Sequence, residues 1–380
     1  MEVPPVEPGR GASLPYDELE AEDGETNGTA IGPSRSFGQI PAESSGRRAV
    51  RLEASGQYIR FRAPRRANSI VVRYVIPDAP GGGGIEATLS LYVDGAFRQK
   101  LRLTSRYAWT YGPFLSPEAN NPALGEARHF YDEARALIGD IPAGAAVTLS
   151  KDADDAAGYY VVDLVDLEQV GPPLARPADS LSIVEFGATV DDGSDDGAAI
   201  QRCIDAARAQ GKAVWIPKGT FHSTSAPFRV AEVSIRGAGM WHSTLSGFYA
   251  RFQCEGDNCR YRDFAILGET VRRDDGSPEN GFNGSAGTGS LLENIWVEHT
   301  KCGYWVGNGG KPTDGLIIRG CRFRNLFADG VNFCNGTSRS IVEQSHARNT
   351  GDDAFASWAP AGSGGVNTGN VFRFNTVQIP

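Results

Sequence analysis

Four segments in the second half of the chain begin alike and recur at nearly even intervals. They start at Leu291 (then Leu-Glu-Asn-Ile-Trp-Val), Leu316 (Ile-Ile-Arg-Gly-Cys-Arg-Phe), Ile341 (Val-Glu-Gln-Ser-His-Ala) and Val371 (Phe-Arg-Phe-Asn-Thr-Val), at intervals of 25, 25 and 30 residues. Apolar positions alternate within each segment, and a polar turn follows. A period this short cannot hold a domain, but it does fit one coil of a stacked β solenoid, whose units bury their apolar faces only against each other.

Composition agrees with a turn-rich β protein. The chain has 47 glycines in 380 residues, against 9% aromatic and 40% hydrophobic residues. Glycine weakens helix interiors and favours turns. The length allows two cores. A net charge of −9 leaves no basic stripe to neutralise phosphates, so nucleic acid is excluded as a partner, and a neutral polysaccharide suits the surface better than an acidic one. No run of eighteen apolar residues occurs, so no helical membrane span is expected. Met1 to Gly11 is polar and proline-containing, without a signal-peptide pattern.

The expected organisation is an all-β chain in two parts. Residues 1–16 read as a flexible leader, 17–171 as a β-sandwich, 172–180 as a proline-stiffened linker, and 181–380 as a right-handed parallel β-helix. Short alternating stretches such as Gln57-Tyr-Ile-Arg-Phe-Arg and Ser69-Ile-Val-Val-Arg-Tyr-Val support the sandwich. A helix is expected over Ala198 to Gln210, where Ile200, Cys203, Ile204 and Ala207 form one apolar stripe and Gly211 ends it. It would cap the open end of the solenoid. Thr270 to Gly289, rich in Gly, Asn, Ser and Asp, reads as a loop projecting from one coil to form a cleft wall.

The candidate chemistry lies in Ala328-Asp-Gly-Val-Asn-Phe and Gly351-Asp-Asp-Ala-Phe. Asp329 precedes Asp352 by 23 residues, about one coil, and Asp353 follows directly. Stacked coils would bring the three carboxylates onto one patch. Crowding raises proton affinity, so one group can hold a proton while another stays ionised, as acid–base cleavage of a glycosidic bond requires. Inverting cleavage asks for about 6.5–9.5 Å between acid and base, a gap that splayed side chains on neighbouring coils could provide. Trp358, in a Gly- and Pro-containing loop, is the first candidate for stacking on a sugar ring. Trp305 could do the same or pack in the core. Asn332 and Asn335 could bond substrate hydroxyls or form side-chain ladders in the turns. His346 reads as a buried histidine bonded to a backbone carbonyl rather than an aide to the aspartates. In the first part, Tyr107, Trp109 and Tyr111 alternate, giving either a sugar platform or sandwich core. Six cysteines lie in the second half; Cys254 and Cys259 could bridge, or all could be buried thiols.

Two resemblances sharpen these expectations. Residues 181–245, with Phe-Gly-Ala, Ala-Ala-Ile-Gln and Val-Trp-Ile-Pro-Lys-Gly-Thr-Phe, resemble the start of pectate-lyase-like β-helix proteins. Asp329-Gly-Val-Asn-Phe with Asn349-Thr-Gly-Asp-Asp-Ala resembles glycoside hydrolase family 87, which contains α-1,3-glucanases and mycodextranases. That resemblance implies inverting hydrolysis of an α-glucan, with Asp352 as general acid and Asp329 and Asp353 holding the water. It implies no cofactor for catalysis, a secreted protein acting as a monomer, and a chain that stops short of the family's usual C-terminus. Leu19-Glu-Ala-Glu-Asp-Gly, Gly56-Gln-Tyr-Ile-Arg-Phe and the closing Val161 to Val170 resemble carbohydrate-binding modules of families 6 and 35. In those modules the corresponding residues, here Glu20, Glu22 and Asp166 or Asp163, hold a structural Ca2+, whose taste for several hard oxygens they would meet. Tyr107 and Trp109 would be the glycan contacts there.

Two other functions fit a solenoid of this kind. A polysaccharide lyase would need a basic residue near the aspartates, and Arg324 and Arg348 are the nearest in sequence. A non-catalytic glycan-binding protein would use the solenoid only as a scaffold.

Overall fold

The computed structural model describes residues 11–307, 311–360 and 365–379, which divide into two compact units, one of residues 14–171 and one of residues 172–378 together with 11–13. The first is an antiparallel two-sheet sandwich. One sheet runs Thr29–Ile31, Ala49–Leu52, Tyr160–Glu168, Ala67–Val75, Asp132–Ile141, with Tyr16–Glu20 also paired to Tyr160–Glu168. The other runs Glu25–Thr26, Tyr58–Arg62, Ala146–Ser150, Glu86–Val93, Ala96–Thr104. Period-two alternation fills the space between them: Val50, Leu52, Ile59, Phe61, Leu89 and Leu91 are all buried in one core.

The second unit is a parallel β-helix of about six turns. Leu291, Ile317, Ile341 and Val371 stack in register, so the repeat seen in sequence is the rung repeat of one sheet. The second repeat begins at Ile317, one residue after the expected Leu316. A second sheet stacks Phe228–Val230, Phe252–Glu255, Phe282–Ser285, Tyr304–Val306, Val331–Cys334 and Phe355–Trp358. Its inward column is Phe228, Phe252, Phe282, Tyr304, Val331 and Phe355. The Phe252 and Phe282 rings lie 5.2 Å apart and nearly parallel. Each ring thus covers the one below it.

Corners between the sheets need a left-handed residue. Asn325 and Asn349 take it on successive coils, at φ 50° and 60°, and their amides form a ladder, with Asn349 Nδ2 donating to Asn325 Oδ1 at 2.9 Å. Asparagine tolerates this conformation better than most residues. The corner fixes where the chain emerges three or four residues later, at Asp329 and Asp352.

The helix Gly197–Gln210 buries the expected stripe against the first rungs and ends at Gly211 in the left-handed conformation. Of the expected leader, 1–10 lie outside the described residues. Ala12 and Ser13 donate backbone bonds to Thr376 Oγ1 and Gln344 Oε1, and Tyr16 already opens a strand. The proline linker is tied down as well, since Leu174 N–H bonds Ala238 O and Arg176 forks onto Glu185 at 2.5 and 3.0 Å.

One expectation is corrected and one open pair of alternatives is decided. Thr270 to Gly289 is not all loop, because Phe282–Ser285 is a rung strand, so the excursion from the coil ends near Gly281. No Cys254–Cys259 bridge forms: all six cysteines are buried free thiols, and Cys254 Sγ lies 3.3 Å from the Tyr261 hydroxyl. Among the described residues, no helix is long and apolar enough to cross a membrane.

The coils approach closely where the acidic segments pass. A Cβ on Gly330 would land on the Ala354 carbonyl oxygen of the next coil. Gly330→Ala should therefore destabilise by about 1–3 kcal/mol, the usual cost of overpacking. A calorimetric melting temperature equal to wild type would show that the rungs can part without cost.

Candidate active site

Asp329 immediately precedes the strand pair that begins at Val331, and Asp352 and Asp353 precede Phe355, its neighbour one rung on. Parallel register therefore places the three side chains at the same end of the same sheet. One carboxylate oxygen from each lies within 4.8 Å of the others. This is closer than the separation expected for an inverting acid–base pair. The reason is the stacking itself: adjacent rungs stand about 4.8 Å apart, and the side chains do not splay.

The three differ in surroundings. Asp329 is only 6% exposed, whereas Asp352 and Asp353 face solvent. Burial, reinforced by the charges of Asp352 and Asp353, pushes the proton affinity of Asp329 above that of an ordinary aspartate. Two donors partly offset this: Asn332 Nδ2 reaches Asp329 Oδ2 at 2.8 Å, and Asp353 N–H reaches Oδ1 at 3.2 Å. Asp352 is held from elsewhere. Arg273, on the excursion after Leu267, places Nη1 2.7 Å from Asp352 Oδ2 and Nε 2.8 Å from Asp275.

These groups line an open cleft of about 990 Å³ with Lys301, Asn280, Trp305 and Trp358 along its walls. Trp358 is 50% exposed, and its ring stands 5.7 Å from that of half-buried Trp305. An exposed indole beside acid groups offers an apolar plate for a pyranose face. Asn332 is occupied by Asp329, so it supports the carboxylate rather than standing free in the cleft. Asn335 takes a left-handed corner, φ 49°.

Other candidates fall elsewhere. His346 is fully buried on the other sheet, with Nε2 2.7 Å from the Gln378 side chain rather than a backbone carbonyl, and burial holds it well below the usual histidine range. Arg324 and Arg348 are also fully buried, so neither of these two can abstract a proton from a polymer. Tyr107 and Trp109 do not form a sheet-face platform, because residues 105–109 are not strand. Trp109 is half-buried, donates its indole N–H to Ile76 O at 2.9 Å and packs edge-on against Phe130 at 4.9 Å. Sequence reasoning missed Arg273 and Lys301. Their one available signal was a pair of cations beside the Asp-rich excursion predicted to wall the cleft.

In the sandwich, Ser45 joins two acids: its hydroxyl meets Glu20 Oε1 at 2.6 Å and its N–H meets Asp163 Oδ1 at 2.9 Å. Glu20 Oε2 and Glu22 Oε2 are buried without a partner. Burial pushes Glu20 up to about 7, with Asp163 adding to it, and raises Glu22 as well. Two orphaned acidic oxygens fit a hard cation. Of the expected Asp166 or Asp163, strand register sets Asp166 opposite Glu18, and Asp163 beside Glu20 bonds Arg73 at 2.5 Å.

Comparison with known proteins agrees with this geometry. Residues 13–170 match the family described as α-1,3-glucanase catalytic domain D1, and 194–379 match catalytic domain D2. The first unit is thus described as part of a catalytic domain, not as a carbohydrate-binding module. The crystal structure of the Agl-KA catalytic domain is 32% identical, with TM-score 0.91, covering 98% of this chain and 69% of that one. The catalytic unit of a thermostable family 87 α-1,3-glucanase from Streptomyces thermodiastaticus strain HF3-3 is 34% identical, with TM-score 0.86, covering 97% and 65%. A family 87 α-1,3-glucanase catalytic domain, solved as an aspartate-to-alanine variant with tetrasaccharides, is 28% identical, with TM-score 0.81, covering 97% and 66%. This chain therefore spans about two-thirds of the length of those chains, and no curated protein matches it. On its sequence, its two-part fold and these likenesses together, the chain belongs to glycoside hydrolase family 87, the family of α-1,3-glucanase catalytic domains.

Proposed function

We propose that the chain hydrolyses α-1,3-glucosidic bonds in an α-glucan, using Asp329, Asp352 and Asp353. The observation that carries this reading is the convergence of three carboxylates, one buried and two exposed, within 4.8 Å in an open cleft bearing an exposed tryptophan. Solved relatives support it. Three of them are single aspartate-to-alanine variants, and the positions changed are spaced as Asp329, Asp352 and Asp353 are, 23 residues and then one. Those relatives hold nigerose or tetrasaccharides.

In this mechanism Asp352, open to solvent, gives its proton to the glycosidic oxygen as the bond from that oxygen to the anomeric carbon breaks. A water held by Asp329 and Asp353 attacks that carbon from the opposite face and gives up a proton to them. Asn332 and the Asp353 N–H fix the orientation of Asp329. Trp358 receives a sugar ring beside the bond cleaved. A polymer too large to enter cells places the enzyme outside them. Wild-type protein should release reducing sugar from α-1,3-glucan, with the opposite anomer appearing first by NMR, and Asp352→Asn should lose this activity with its circular dichroism unchanged. Retained activity in that variant would remove Asp352 from the mechanism. A retained anomer would replace inversion by the double displacement that close carboxylates can support.

A structural Ca2+ held by Glu20 and Glu22 is proposed for the first unit. It would neutralise two crowded carboxylates and tie the first strand to the short 3-10 turn after it. Glu20 binds its proton more tightly folded, at about 7, than a free glutamate does, so its ionisation costs stability as pH rises from the ordinary glutamate range through 7. Calcium should therefore raise the melting temperature more at pH 8 than at pH 5, and Glu20→Gln should abolish the difference. Equal shifts at both pH values would reject the site.

A further inference from the structure

Arg273 and Lys301 have no place in the mechanism above, yet both line the cleft. Arg273 lies 79 residues before Asp352 and meets it from the excursion that leaves the coil after Leu267. Its guanidinium is half-buried, with Nε on Asp275 and Nη1 on Asp352, which fixes its plane. Lys301 is 6% exposed, and its ammonium is spent on backbone carbonyls of that excursion: Asp274 O at 3.0 Å, Asp275 O at 3.4 Å and Ser277 O. A buried ammonium bonded to carbonyls on both sides of a turn pins its backbone. The excursion is thus a wall fastened from below by Lys301, carrying one cation over to the acid group.

We propose that Arg273 is a positioning residue for the reaction, one that stabilises the Asp352 carboxylate formed as the proton passes to the leaving oxygen, and that Lys301 holds it there. This rests on the hydrolase reading given above. When Asp352 gives up its proton, a negative charge appears on an oxygen already 2.7 Å from Nη1. No new bond is needed and nothing has to reorganise, which is the condition under which a fixed donor lowers a barrier most. The charges facing Asp352 are otherwise acidic: Asp329 and Asp353 beside it and Asp275 across Arg273, with Lys301 beyond. Without Arg273 the departing proton would leave a third carboxylate among these acids with no adjacent cation in the described network.

The test uses the full chain on α-1,3-glucan. Arg273→Ala should lower kcat about 10²-fold with KM changed far less, the usual loss for one fixed donor to developing charge. The shape of its pH–rate profile should change as well, since the cation 2.7 Å from the proton donor is gone. Added guanidinium should restore part of the rate to Arg273→Ala, and Arg273→Lys should fall between it and wild type. Lys301→Met should lower kcat in the same sense without rescue by guanidinium. A purely structural role would instead lower activity with the pH profile fixed and no rescue, which overturns the proposal, as does wild-type activity in Arg273→Ala. Amide hydrogen exchange over residues 270–281 reads the tether without turnover: Asp352→Asn should speed it, and unchanged exchange overturns the tether. A wild-type chain that cleaves no α-glucan while Asp352→Asn still loosens the wall would mark the functional reading, and not the contact, as the failure.

Discussion

Every feature of the site follows from one spacing. In a parallel β-helix a side chain finds its neighbour one rung away, about 4.8 Å along the axis, with the same orientation. Inside the coil that identity is stabilising: Phe228, Phe252, Phe282 and Tyr304 stack as like on like and exclude water together. Outside the coil the same rule brings acid against acid, and there it is costly. Asp329 and the Asp352–Asp353 pair are the place where the solenoid accepts that cost.

The cost is contained by groups that come from different levels of the chain. Asn332, three residues on, and the backbone of the next coil bond Asp329 directly. Arg273 reaches Asp352 only because the coil lets out an excursion between Leu267 and Phe282, and Lys301 fastens that excursion by its carbonyls. A regular rung could not have supplied Arg273 at this position, since its side chains are committed to the ladder above and below, whereas Lys301 comes from the coil itself, between Glu298 and Tyr304. The insertion is therefore where the solenoid departs from repetition and where its cleft acquires a wall. Buried acid in the sandwich follows a parallel logic, with Glu20 and Glu22 left short of partners and drawn toward neutrality by burial.

Much of this was legible in the residues. The 25-residue repeat gave the rungs to within one position, and the stripe Ile200, Cys203, Ile204, Ala207 gave the capping helix. The interval between Asp329 and Asp352 gave the cluster, because in a solenoid a sequence period is a spatial contact. The strand Phe282–Ser285 was not legible. Its residues Phe-Asn-Gly-Ser hold one apolar side chain, and it pairs only because Phe252 below and Tyr304 above are in register with Phe282. Trp109 read equally well as platform or core, and only its bond to Ile76 O and contact with Phe130 decide for packing.

By itself the sequence determined what is periodic or local: two β units, the cap and three acids one coil apart. Periodicity fixes stacking, and stacking fixes contact, so no further information was required. Tertiary structure decided what is neither periodic nor local. It buried Asp329 while leaving Asp352 and Asp353 exposed, brought one oxygen of each within 4.8 Å of the others, and carried Arg273 across 79 residues to Asp352. Burial and long-range ion pairs depend on how the excursion folds back over the coil, and no spacing rule in the chain encodes that path.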